Sequence, residues 1–267
     1  MIPTAAFSGR LVSASFLAKQ TGNRDRPDQI DSWRSAHRIH AAARRALGPA
    51  SSPRAILDVG FIPLARTFGF DRFHDVRHAD AFLALSMEPP DGGSVAAIVT
   101  AWADRLDPLW RAAVVEAQQR GTRWCVLFNG ISIRIVSAEQ LYSRRYVDCD
   151  AAMALDRPES FDALVRIAGA RALTAGDRDP ASLRALVTAS EQDSAGVCRS
   201  LREGVLCASM EVLRALTARH RRQSQASLQD CFDQSLTIVY RILFLLFAEA
   251  RSLVPTWHQI YHDSYSV

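Results

Sequence analysis

Two apolar runs, Trp124 to Phe128 and Ile131 to Val136, flank Asn129-Gly130, and this segment narrows the fold more than any other. Asn-Gly suits the two central positions of the tight turn whose twist matches paired antiparallel strands. Along the second run Ile131, Ile133 and Ile135 alternate with Ser132, Arg134 and Val136, which predicts one apolar face. A sheet is therefore required around residue 130. Two further runs, AFLALS at 81–86 and VAAIVTA at 95–101, straddle the turn-rich PPDGG at 89–93 and predict a second hairpin.

Helical spacing surrounds these strands. TGNRDRPDQI at 21–30 reads as a loop. From Asp31 onward Trp33, Ala36, His40, Ala43 and Leu47 recur every three or four residues, with Gly48-Pro49 as the stop. Arg54 to Phe68 predicts a shorter helix with Pro63 as kink or boundary, and Asp107 to Arg120 another. After about residue 150 the strand signal ends. Phe161 to Leu173, Pro180 to Ala189, 194–222 and Ser227 to Leu253 are all helical in period. GDRDP at 176–180 is the expected hinge, which divides the chain into 1–175 and 176–267.

The chain is 48% hydrophobic and 22% charged, enough to bury a core. Of 32 basic residues only Lys19 is a lysine, so chemistry that needs a lysine in the body of the chain is excluded. A GC-rich genome produces such a bias by itself. No uninterrupted apolar run approaches the roughly 18–20 residues of a membrane span; the nearest, Ile242 to Ala248, is fenced by Arg241 and Glu249. The N-terminus lacks a secretory pattern, and five scattered cysteines suit reduced thiols. The expected compartment is the cytoplasm, with no membrane partner. The pairs His74/His78 and His258/His262 lack a third ligand, so no metal centre is expected from them. No P-loop and no Ser-His-Asp or nucleophile-elbow pattern is present.

The order of helix, strand, turn, strand, helix and hairpin resembles the PD-(D/E)xK nuclease plan. In that plan two acids hold Mg²⁺ and a lysine activates or orients the attacking water. The stretch from Trp124 through Asn129-Gly130 to Arg134 resembles the hairpin of nuclease domains in type I restriction subunits and type IIG restriction–modification enzymes. His78-Ala79-Asp80 ahead of AFLALS is similar to the first half-motif, with Asp80 matching its aspartate. Along Ile98 to Asp107, Thr100 stands where the second acid would be and Trp102 where the lysine would be. The resemblance thus implies an α+β fold: a restriction-endonuclease-like α/β/α half with a degenerate site, then an all-helical connector half.

A second stretch, Ile238 to Arg251 followed by Leu253-Val254-Pro255 and Tyr261 to Ser266, resembles the segment before the catalytic domain of type IIG-like adenine-specific DNA methyltransferases, including phage-defence members. That resemblance implies a following S-adenosylmethionine domain with an Asn-Pro-Pro-Tyr motif. The 267 residues contain no such motif. S-adenosylmethionine is expected only if a methyltransferase domain lies downstream, and no cofactor is expected in this chain.

Three functions remain open. The first is a non-catalytic module that docks on double-stranded DNA and connects to a methyltransferase domain or another defence subunit. Arg34, Arg38 and Arg45, inside a block without acids between Asp31 and Asp58, are its DNA-binding candidates, with Arg221 and Arg222 further on. The same blocks also read as solvated helix faces. The second is a Mg²⁺-dependent endonuclease with an atypical site drawn from Asp80, Asp104 and Glu116, although Asp104 and Asp107 also suit capping of the next helix. The third is an interaction subunit of a defence complex without DNA binding. The apolar stripe Tyr240, Leu243, Phe244 and Phe247 is expected to be core.

Overall fold

The computed structural model describes residues 6–20, 27–139, 142–220, 227–250, 253–255 and 257–264. The fold is α+β with a helical C-terminal part, and the chain forms two compact units, Met1–Asp193 and Ser194–Val267.

The first unit is built on seven strands: β1 (Phe7–Gly9), β2 (Arg72–His78), β3 (Phe82–Glu88), β4 (Val95–Thr100), β5 (Trp124–Phe128), β6 (Ser132–Ser137) and β7 (Tyr146–Asp150). Their order across the sheet is β1-β7-β6-β5-β4-β3-β2. Among the described residues only β4 and β5 run parallel; every other pair is antiparallel. A parallel pair needs a crossover, and helix α5 (Trp110–Gln119) supplies it.

Alternation along the strands serves two cores. Val95, Ala97, Val99, Val126, Phe128, Ile133 and Ile135 enter a large core with residues of α2 (Pro27–Ala46), α6 (Ala151–Leu155), α7 (Pro158–Ala168) and α8 (Ala170–Thr174). Ala96, Ile98, Cys125, Leu127 and Val136 face the other way, onto Ala113, Val114 and Ala117 of α5. Both faces of the central strands are covered, so the unit is a three-layer α/β/α sandwich. Burial raises the Cys125 and Cys149 thiols well above their ordinary range, which keeps them protonated core side chains.

Several expectations are corrected. α2 begins at Pro27, so 27–30 is helix where a loop was expected; 21–26 lie outside the described residues. The helix expected over Arg54 to Phe68 is three pieces: α3 (Pro53–Ala55), a π-helical turn (Ile56–Phe61) and α4 (Ile62–Thr67). Pro63 sits in the first turn of α4, where a missing N–H costs least, and the wider π turn ends just before it. The Asn129-Gly130 hairpin is longer than two residues, because Phe128 pairs with Ile133. Asn129 Oδ1 accepts from the Ile131 and Ser132 amides at 3.0 and 2.7 Å, and this side-chain turn takes Ile131 out of the strand. Arg134 and Val136 are also buried, so the polar half of the alternation faces α5 and not water. β1, β2 and β7 were not expected at all.

Helix α9 (Leu183–His220) is one continuous element where two helical stretches were expected. The division between units falls inside it, after Asp193, and not at 175/176. Its first turns belong to the sheet unit for a visible reason. Leu183 and Val187 enter the large core, Ser190 Oγ accepts from the Ser13 amide at 3.0 Å, and Asp193 pairs with Lys19 at 3.0 Å.

The second unit holds the rest of α9, α10 (Leu228–Ala250) and α11 (Gln259–Ser264). Cys231, Ser235, Val239 and Ala248 are the buried residues of α10. Tyr240, Phe244 and Phe247, expected as core, are 70%, 56% and 53% exposed. The buried seam consists of small side chains, and the bulky ones project outward. By length and composition α10 is also apolar enough to cross a membrane, which counting uninterrupted runs missed because Arg241 interrupts it. Glu249 finds a partner outside the helix, accepting from the Tyr261 hydroxyl at 3.2 Å.

Candidate nucleic-acid interface

The C-terminal ends of β4 and β5 lie side by side, because Val99 pairs with Phe128 in parallel register. The antiparallel match of Phe82 with Thr100 brings the β2–β3 turn to the same edge. Asp80, exposed in that turn, and Thr100 are therefore neighbours through the sheet. Thr100 is fully buried, and its hydroxyl lies 3.0 Å from both the Ala81 carbonyl and Asp104 Oδ2. The other Asp104 oxygen accepts from the Arg105 amide at 2.8 Å.

The segment after β4 turns sharply. Ala103 has φ 57°, and its amide donates to the Asn129 carbonyl at 2.9 Å. Asn129 donates its side-chain amide back to the Asp104 carbonyl at 2.7 Å. These bonds send Asp104 toward Thr100 and place Trp102 against Gly130. A Cβ on Gly130, which has φ +85°, would come within 2.7 Å of Trp102 Cζ3. The glycine of the hairpin is thus required twice, for its conformation and for the indole packed on it.

Glu116 is not part of this edge. It lies on α5 and pairs with Arg77 of β2 at 2.6 Å and with Arg120 at 3.5 Å. Arg120 also holds Asp75 at 2.5 Å. The three acids considered for a nuclease site are therefore divided: Asp80 in a turn, Asp104 on Thr100, and Glu116 in an ion-pair network. Among the described residues no group of three or more His, Cys, Asp or Glu side chains could hold a metal ion. Neither Asp104 nor Asp107 caps α5 through its side chain. Asp107 instead pairs with Arg134 at 2.8 Å, and the same guanidinium reaches Asp148 at 2.7 Å and lies over the Tyr146 ring. The hydrogen bond from Arg134 holds the Asp107 carboxyl below its ordinary range.

The basic candidates stand on α2. Ala36, His40, Ala43 and Leu47 point into the unit, leaving Arg34, His37, Arg38, Arg44 and Arg45 exposed. Eleven residues separate Arg34 from Arg45, about 16 Å along the axis. Arg34 reaches Asp31 at 3.4 Å, while Arg45 donates to the Ala41 carbonyl. Elsewhere in the unit many arginines are neutralised: Arg54 by Asp58, Arg72 by Glu88, Arg123 by Asp177, and Arg184 by Glu139. The Arg44 guanidinium lies over Trp102, 5.6 Å from the ring centroid, and so ties the end of α2 to the end of β4. Burial, reinforced by Arg44, lowers the His40 pKa from its ordinary 6.5. Nothing local in the sequence relates residues 44 and 102, so this contact has no signature there. Arg221 and Arg222 lie outside the described residues.

At the opposite end of the parallel pair an open groove of about 600 Å³ runs past Ser94, Arg123 and Arg184. Two of its arginines, Arg123 and Arg184, are matched by Asp177 and Glu139.

No family model, no curated protein and no solved structure matches the chain.

Proposed function

We propose that this chain is a non-catalytic module of a restriction–modification or phage-defence DNA methyltransferase system. Its sheet unit docks on double-stranded DNA, and its helical unit connects to a methyltransferase domain or another defence subunit. One observation carries the DNA half of this reading. Arg34, Arg38 and Arg45 project from one exposed side of α2, in a stretch whose own sequence supplies no acid beyond Asp31. Arginine forks suit phosphate oxygens, and helix spacing presents them in a row. The non-catalytic half rests on Thr100 and Trp102. The first binds Asp104 and the second packs on Gly130, so both are committed to structure at the edge where a nuclease of the resembled type keeps its acid and lysine.

The reading is tested by incubating the purified chain with plasmid and Mg²⁺ or Mn²⁺, then separating bound from cut DNA. Retention at low salt with intact plasmid is expected. Cutting that Asp80→Ala abolishes would establish the endonuclease alternative in its place.

A second reading, an interaction subunit without DNA binding, is favoured by α10. Leu236, Tyr240 and Phe244 expose large apolar areas on α10, a surface typical of contacts with another protein chain. Absence of DNA binding even at low salt would favour it.

A further inference from the structure

We infer that Arg44 is a phosphate contact preset by Trp102, fixed in place before duplex DNA arrives. The inference rests on the DNA-docking reading and adds to it a specific anchor point, beside the ends of β4 and β5.

Three observations converge on this residue. First, Arg44 is exposed and carries a full charge in the last turn of α2, yet among the described residues no carboxylate is seen within ion-pair distance of it. Second, its guanidinium lies over the indole face of Trp102, 5.6 Å from the centroid. Third, Trp102 is itself immobilised: it packs on the edge of the large core and against Gly130, where no Cβ would fit. An arginine in water gives up side-chain freedom when it takes a phosphate. One already laid on a fixed ring gives up less, and its planar fork keeps its N–H edge for an oxyanion while the face is covered. His40, one turn earlier, is buried; Asp104 is bound by Thr100, and Asp150, the acid that acts electrostatically on His40, accepts from the Met153 amide at 2.9 Å. Arg34, Arg38 and Arg45 are also on α2, but none of them lies over a ring. Arg44 therefore stands beside that row, next to the end of β4, as the arginine of α2 laid on a ring.

The test is fluorescence anisotropy of a labelled DNA duplex across a salt series, with wild type, Arg44→Ala, Trp102→Leu and the charge reversals of Arg34 and Arg38. Arg44→Ala should weaken binding about three- to tenfold and reduce the slope of log K against log salt by about 1, the signature of one lost phosphate contact. Trp102→Leu should weaken binding while leaving that slope unchanged, because the charge is kept and only its placement is lost. A purely structural role for Trp102 would move the melting temperature and leave affinity alone. If Arg34 and Arg38 reversals weaken binding but Arg44→Ala does not, this inference is overturned and the docking reading stands. If the wild type binds no DNA, both fall. Arg44 is on the surface, so its variant stays informative even where Trp102→Leu folds poorly.

Discussion

The Thr100 hydroxyl lies 3.0 Å from an Asp104 carboxylate oxygen and equally close to the Ala81 carbonyl, tying the loop after β4 to the β2–β3 turn. Thr100 itself is fully buried, but Asp104 and Ala81 are exposed, so water can replace the hydroxyl at both partners. Thr100→Val should cost about 0.5–1.5 kcal/mol, the net worth of a hydrogen bond, measured as a lower urea midpoint with unchanged m-value. An unchanged midpoint would show that the contact holds nothing.

Gly130 and Trp102 form the second constraint at this edge. Gly130→Ala introduces a Cβ into the indole and strains a residue at φ +85°. A loss of about 2–4 kcal/mol is expected, read by thermal unfolding of the sheet unit. Trp102→Ala in the same background should recover part of the loss, since it removes the collision but not the backbone strain.

These two contacts show what was legible beforehand. The β5–β6 hairpin, the β3–β4 hairpin, the α2 stop at Gly48-Pro49 and the purely helical C-terminal part could all be read from periodicity and turn residues. β2 could not. Its RFHDVRH sequence has no apolar alternation because it is an edge strand, and its charges pair with Glu88, Glu116 and Arg120 while discouraging further strand addition. The outward-facing Tyr240 and Phe244 were also illegible, since helical spacing marks an apolar stripe but does not say whether the chain itself covers it. At the candidate site the sequence singled out Asp104, Thr100 and Trp102. Asp104 is held by near neighbours, Thr100 and Arg105, but the Arg77–Glu116 pair that draws Glu116 away spans 39 residues, and no local pattern predicts it.

Arg134 is 7% exposed and holds both Asp107 and Asp148. Arg134→Met leaves the partly buried Asp148 carboxylate without its cation while the more exposed Asp107 is rehydrated, and about 1–3 kcal/mol of destabilisation is expected. Replacing Asp107 and Asp148 with Asn in that background should restore a good part of it. Chemical denaturation of the single and triple variants gives the comparison, and equal stabilities would refute the pairing.

His40 provides a pH dependence. Its folded pKa is lowered from 6.5 by burial, then by Arg44, so the unfolded chain binds the proton more readily. The stability it contributes is fully present above 6.5 and is lost as pH falls through the lowered folded value. His40→Leu should flatten the stability curve in the window just below pH 6.5. A curve of wild-type steepness in that variant would place the acid sensitivity elsewhere.

Whether the exposed α2 row binds nucleic acid is decided by salt-dependent binding of a DNA duplex to wild type and to the triple reversal Arg34→Glu, Arg38→Glu, Arg45→Glu. Wild type should bind at low salt, with log K falling linearly against log salt. The reversal should abolish binding or reduce that slope by about 3, one for each phosphate contact removed. No wild-type binding at low salt, or a reversed protein that binds with wild-type affinity and slope, would contradict the account.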